Sequence, residues 1–276
     1  MLACTLSLAP GALARATEPV VPPADRAPSE DVRLGALTED GRLLIFSVSA
    51  PEKVEVKTIQ GVPDPLCGID ERPANGLLYG VTTASEVYTI DPETGAGKLV
   101  STLTLPFDGG MRSGVDFTPL ADRLRLVSHD GQNLRINVDV GAAAIDGPLV
   151  YTPGDPNHGE RPEIAAVAYT KSLPVTAATE MYDIDSHLDI LVQQEPPNDG
   201  ILRTIGPLGV DFPVLAGFEI VSDANGSERG FAAFRDELYR IDLQTGRATR
   251  AGTIGGSPGE IVGLSRISGV RSGKHS

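Results

Sequence analysis

Residues Leu66 to Leu103 read LCGIDERPANGLLYGVTTASEVYTIDPETGAGKLVSTL, and the punctuation of this stretch decides the fold. Four apolar or alternating runs, at 66–70, 77–82, 86–90 and 98–103, have the composition of short strands. Between them lie Arg72-Pro73-Ala74-Asn75-Gly76, Thr83-Ala84-Ser85 and Asp91-Pro92-Glu93-Thr94-Gly95. Gly, Pro, Asn and Asp let a chain reverse at low steric cost, so each connector is a turn. Four antiparallel strands within about 40 residues make one blade of a propeller.

The rest of the chain repeats the pattern. Blade one shows strands at 33–38, 42–48 and 54–59, with Glu39-Asp40-Gly41 as a hairpin turn, but no inner strand. Blade three spans 114–151. Its Gly114-Val115-Asp116 repeats Gly68-Ile69-Asp70, and Leu134-Arg135-Ile136-Asn137 repeats Tyr88-Thr89-Ile90-Asp91. Blade four (163–208) is the most divergent, with strands at 164–169, 180–184, 189–194 and 201–205. Blade five (216–254) carries Leu238-Tyr239-Arg240-Ile241-Asp242, an echo of Val87-Tyr88-Thr89-Ile90-Asp91. One more strand, 261–266, follows with no blade after it. The array thus starts with a blade lacking its inner strand and ends with an inner strand lacking a blade. Ring closure resolves both, and it removes exposed sheet edges. The expectation is an all-β, five-bladed propeller of four-stranded antiparallel blades over 33–267, closed by 261–266 completing blade one.

The inner strands share two positions. Gly68, Gly114, Ala166, Gly217 and Gly263 are equivalent and small, as crowding near an axis requires. Two residues on, the same face carries Asp70, Asp116, Ala168, Glu219 and Ser265, because strand side chains repeat with period two.

Composition sets the setting. The 276 residues hold 31 Gly and 22 Pro but no Trp, which suits many short strands and tight turns. A formal charge of -14 argues against nucleic acid and anionic membranes as partners. Residues 1–16, MLACTLSLAPGALARA, read as the remnant of a signal peptide with Ala-x-Ala sites, too short to span a bilayer. The expected location is therefore periplasmic or extracellular, with lipid anchoring at Cys4 as a lesser alternative. Residues 17–32 read as a Pro-rich disordered spacer and 268–276 as a disordered tail. After cleavage Cys67 is a lone thiol inside a strand pattern, a buried inert residue rather than a nucleophile.

Two polar constellations stand out. Asp70, Asp116 and Glu219 would line the channel, where three carboxylates suit a hard cation such as Ca²⁺; the competing reading makes them strand-ending turn residues. Arg123, Arg125, Asn133, Arg135 and Tyr169, together with Asp116, offer guanidinium and amide groups for a small polar ligand. The competing reading pairs the arginines with acids between blades. Asp183, Asp185 and Asp189 read as a solvated turn. Gly255-Gly256-Ser257-Pro258-Gly259 matches a nucleophile elbow only as a string, since no strand–turn–helix surrounds it. The four histidines lack metal-ligand spacing.

At GALTEDGRLLIF, GIDERPANGLLYGV, VDFTPLADRLRLVSHDGQNLRIN, NDGILRTIGPLGVDF and LYRIDLQTG the chain resembles the family known as domain of unknown function 4394. Thr118 stands where similar proteins are expected to have Asn. The resemblance implies an exported, propeller-like repeat domain and supplies no catalytic residues. The combined reading is an exported, monomeric, non-enzymatic binding or scaffolding module for a small polar ligand or an extracytoplasmic protein, with no transmembrane span. The alternative is a propeller-type hydrolase or lactonase using a divalent cation at the channel mouth.

Overall fold

The computed structural model describes residues 31–223, 225–256 and 259–268. The signal remnant at 1–16, Cys4, most of the 17–32 spacer, all but Ser268 of the 268–276 tail, and Ser257 lie outside the described residues.

Blade one contains β1 (Arg33–Thr38), β2 (Arg42–Ser47) and β3 (Ala50–Thr58). Blade two contains β4 (Leu66–Glu71), β5 (Leu78–Thr82), β6 (Glu86–Ile90) and β7 (Gly97–Thr102). Blade three contains β8 (Ser113–Thr118), β9 (Arg123–Ser128), β10 (Asn133–Asn137) and β11 (Ala142–Ile145). A two-residue strand, β12 (Val150–Tyr151), precedes blade four, which is β13 (Ile164–Tyr169), β14 (Met181–Asp185), β15 (Ile190–Gln194) and β16 (Ile201–Pro207). Blade five is β17 (Gly217–Ser222), β18 (Glu228–Phe234), β19 (Glu237–Ile241) and β20 (Ala248–Thr253). The final strand, β21 (Ile261–Arg266), pairs with β1 in register Leu34↔Arg266 and Ala36↔Leu264. The first sheet therefore runs β21-β1-β2-β3, and the ring of five antiparallel blades closes as the repeat pattern requires.

Close approach at the axis explains the small residues. A Cβ on Gly68 would sit 2.4 Å from Val115 Cγ2, and one on Gly114 would sit 2.6 Å from the Val167 backbone nitrogen. Neither fits, so the inner strands β4, β8 and β13 can pack side by side only without those side chains.

Outward from the axis, the core is divided among the blade interfaces. Leu37, Leu43, Ile45 and Val262 of blade one meet Leu66, Ile69 and Leu78 of blade two. Cys67, Tyr79 and Val81 meet Phe117, Leu124 and Leu126 of blade three. Ala168, Tyr182 and Ile184 of blade four meet Phe218, Phe234 and Tyr239 of blade five, and Val221 and Phe231 meet Leu34, Leu44 and Phe46 of blade one. The interface between blades three and four differs. Blade three contributes only Val127 to the apolar cluster there, and polar groups fill the remainder.

The structure departs from two sequence expectations. Residues 150–151 belong to blade four, not blade three: β12 pairs in parallel with β16 through Val150↔Ile201 and Tyr151↔Leu202. Its Tyr151 hydroxyl reaches across the blade and donates to Asp185 Oδ2 at 2.6 Å. Asp183 and Asp185 are not a solvated turn. Both lie in β14 and both are buried, because period two aims Met181, Asp183 and Asp185 together at blade three.

Candidate functional site

The inner strands bring three carboxylates together at the axis. Asp70 of β4, Asp116 of β8 and Glu219 of β17 are all buried, and oxygens from the three lie within 4.8 Å of one another. Each carboxylate also fastens its blade to the next. Asp70 Oδ2 accepts the Phe117 N–H at 2.8 Å, Glu219 Oε2 accepts the Arg266 N–H at 2.8 Å, and Asp116 accepts the Tyr169 N–H. Ser265 completes the pattern by accepting the Glu71 N–H at 2.9 Å. The residues that clasp are thus the period-two set of the sequence, and the N–H they clasp always follows the equivalent residue of the next blade. Ala168, the fifth member, has no acceptor to offer.

These clasps leave some oxygens free. Asp116 Oδ1 is buried and has no hydrogen-bond donor. Asp70 Oδ1 takes the Glu71 N–H at 2.8 Å and faces the Ser265 hydroxyl at 3.1 Å. Burial pushes the Asp70 carboxyl up to about 7, against the pull of its hydrogen bonds. Burial also raises Asp116 and Glu219 well above the carboxylate range, and the charge on Asp70 adds to both shifts. Arg266 draws Glu219 and Glu71 back down. Arg72 and Arg125, by contrast, are committed elsewhere. Arg72 grips Asp122 and Asp139 with hydrogen bonds of 2.6–3.0 Å.

On the opposite side of the glycine ring from the blades' outer edges, the axial space is small. It is lined by Gly68, Gly114, Ala166, Gly217 and Gly263 among others, and its volume is ≈ 10 Å³. That is room for about one water.

The second constellation is assembled, but as a seam. Asp116, Arg125 and Arg135 are cross-strand neighbours through Asp116↔Arg125 and Arg135↔Arg125. Arg125 is 1% exposed. Its guanidinium donates to Tyr169 Oη (3.3 Å), Asn133 Oδ1 (2.8 Å), Asp146 Oδ2 (2.6 Å) and Asn198 Oδ1 (2.7 Å). It is a strut between blades three and four. Arg135 pairs with the other oxygen of Asp146 at 3.2 Å, and Arg123 donates to the carbonyls of Ala121 and Asp122 at the rim. None of these groups lines the axial space inside the glycine ring.

The seam also contains Asp183, which the sequence reading placed in a solvated turn, and Gln194, which it did not single out. Asp183 is fully buried with no donor on either oxygen, and Gln194 Oε1 is likewise buried and unpartnered. Burial raises the Asp183 carboxyl well above its usual range, although the Arg125 charge pulls it down. The signal was available: in Met181-Tyr182-Asp183-Ile184-Asp185 the acids alternate with large apolar residues, as they do on a strand buried on both faces. Cys67 is buried, and burial pushes its thiol up to about 12, so it is an inert core residue.

No curated protein matches the chain. Among solved structures it is similar to a protein of unknown function from Bacteroides caccae, at 11% identity and TM-score 0.42, covering 80% of this chain and 72% of that one. It is similar to a protein of unknown function from Bacteroides thetaiotaomicron, at 15% identity and TM-score 0.49, covering 86% of this chain and 62% of that one. It is also similar to the virginiamycin B lyase of Staphylococcus aureus, at 12% identity and TM-score 0.41, covering 81% and 70%. The motifs that carried the resemblance to a family lie in the stretch that its model matches, residues 42–265, except the first, which begins at Gly35 and enters it at Arg42, and the chain belongs to the family described as domain of unknown function (DUF4394).

Proposed function

We propose that this is an exported, non-enzymatic binding or scaffolding propeller whose ligand is cationic and is taken at the axial carboxylates. The observation that carries the reading is the convergence of Asp70, Asp116 and Glu219, from three different blades, on one buried point. A buried carboxylate is costly unless protonated or countered by positive charge, and three together multiply that cost. Of the arginines that could have formed a separate polar site, Arg125 is committed as a strut, Arg135 pairs with Asp146, and Arg123 holds the rim carbonyls of Ala121 and Asp122. The leader-like sequence at 1–16 supports an extracytoplasmic setting. A hydrolase or lactonase would need a substrate cleft beside the acids, and the burial of Asp70, Asp116 and Glu219 favours binding over turnover.

The test is a panel of ligands. Calcium, magnesium, spermidine and a lysine-rich peptide are titrated by calorimetry and thermal shift, with neutral sugars and inorganic phosphate for comparison. The reading expects at least one cation to bind and raise the Tm, and Asp116→Asn to weaken that binding at least tenfold. Silence from every cation overturns it.

A further inference from the structure

Resting on that reading, we infer that the axial ligand is a single hard divalent metal ion of the calcium class, held by Asp70, Asp116 and Glu219 with water completing its shell. Four observations converge on this assignment. The three side chains offer only oxygen donors, the chemistry that calcium prefers. Oxygens bound to one calcium at about 2.3–2.6 Å lie at most about 5 Å apart, and the three carboxylates already present oxygens within 4.8 Å of one another. Asp116 is 2% exposed, yet its Oδ1 has no donor; a bound cation is the partner that a buried anionic oxygen in such a cluster lacks. The neighbouring axial space, ≈ 10 Å³ and lined by the glycine ring rather than by the carboxylates, has room for about one water, the molecule that would complete the ion's shell.

The outer hydrogen bonds suit a metal site as well. The Phe117, Tyr169 and Arg266 N–H groups hold one carboxylate each from the adjoining blade, so the ligands are oriented before any ion arrives. Glu71 adds a further carboxylate beside Asp70 and Glu219, and Arg266 partly offsets it. The ion would bridge blades two, three and five, and through the Arg266 N–H it would bear on β21. Its removal should therefore loosen the closing strand in particular.

The experiment uses the full chain. Protein purified without chelator is assayed for bound metal, then stripped with EDTA and dialysed. Calcium, magnesium and spermidine are added separately at matched ionic strength, and binding and hydrogen exchange in 261–266 are followed. One equivalent of calcium should bind, at least tenfold tighter than magnesium, with exchange in 261–266 slowing at least tenfold. Asp116→Asn should weaken calcium binding at least tenfold, while Lys98→Ala on the outer strand β7 leaves it unchanged. If Asp116→Asn does not fold, the stoichiometry of wild-type protein decides: about one divalent ion per chain supports the site, and none overturns it. Calcium binding that survives in folded Asp116→Asn places the ion elsewhere and overturns it. Spermidine binding that is lost in Asp116→Asn, with no response to calcium, overturns the metal while the broader reading stands. Silence from all three ligands overturns the metal, and silence from the lysine-rich peptide as well overturns the broader reading.

Discussion

At Asp183 a carboxyl group is enclosed with no donor on either oxygen, and the cation that draws it down, Arg125, already gives its hydrogens to Tyr169, Asn133, Asp146 and Asn198. The folded state therefore binds the Asp183 proton more tightly than the unfolded chain does. The contribution of this group to stability is full below the unfolded carboxylate pKa, about 4, and is lost as the pH rises through the raised folded value. Asp183→Asn is expected to stabilise the protein at pH 8 by about 1–3 kcal/mol, the cost of an unsatisfied buried polar group, with the gain fading toward pH 4. Urea unfolding at the two pH values checks this, and equal stability of both proteins at pH 8 refutes it. Arg125→Ala takes the donor from Tyr169, Asn133 and Asn198, leaves Asp146 only its 3.2 Å pair with Arg135, and should cost about 3–5 kcal/mol, whereas Arg123→Ala, at the rim, should change stability by less than about 0.5 kcal/mol. Equal losses from the two would show that Arg125 is not the strut its hydrogen bonds describe.

Among the elements, the inner strands have the least room. Gly114→Val would drive a side chain into the backbone of β13, which cannot rotate away, so it should cost about 3 kcal/mol, the upper end for overpacked cores; the same denaturation series measures it. A chain truncated after Glu260 lacks β21 and leaves the β1 edge unpaired, and it is expected to elute as aggregate or unfolded protein rather than as a compact monomer. A truncated chain with native circular dichroism and a sharp monomer peak would show that closure is dispensable. The inner strands were also the most legible elements. Gly-x-Asp recurs in β4 and β8, and period two carries the acids onto one face whatever the loops do. The closing strand was legible for the same reason, since Gly263 and Ser265 fall in that frame. By contrast, β12 is two residues long and pairs in parallel, so it has no period to detect. Nor could the sequence choose between ligand site and strut for Arg125: its partners Asp146 and Asn198 lie 21 and 73 residues away, the first brought in by the pairing of β11 with β10 and the second only by the packing of blade four against blade three.

For the molecule as a whole, charge is the dominant long-range term. A chain with a formal charge of -14 is self-repelling, and salt screens such repulsion. With chelator present to silence the axial site, raising NaCl from about 0.02 M to about 0.3 M should raise the Tm by a few degrees, because the Debye length falls below the spacing of surface charges. A fall in Tm would mean that surface ion pairs, such as Arg250 with Glu237 and Arg161 with Asp130, outweigh the net repulsion. The pairing of β1 with β21 has a further consequence, in time. Domains tend to fold from the N-terminus as synthesis proceeds, but the first blade of this ring is finished by its last strand. While the chain is being made, β1 waits with an open edge, and no order of blade formation can shorten the wait. The ring locks only when Ile261–Arg266 is at hand to pair with β1, so the arrival of that strand, rather than the growth of the core, sets when the protein becomes native.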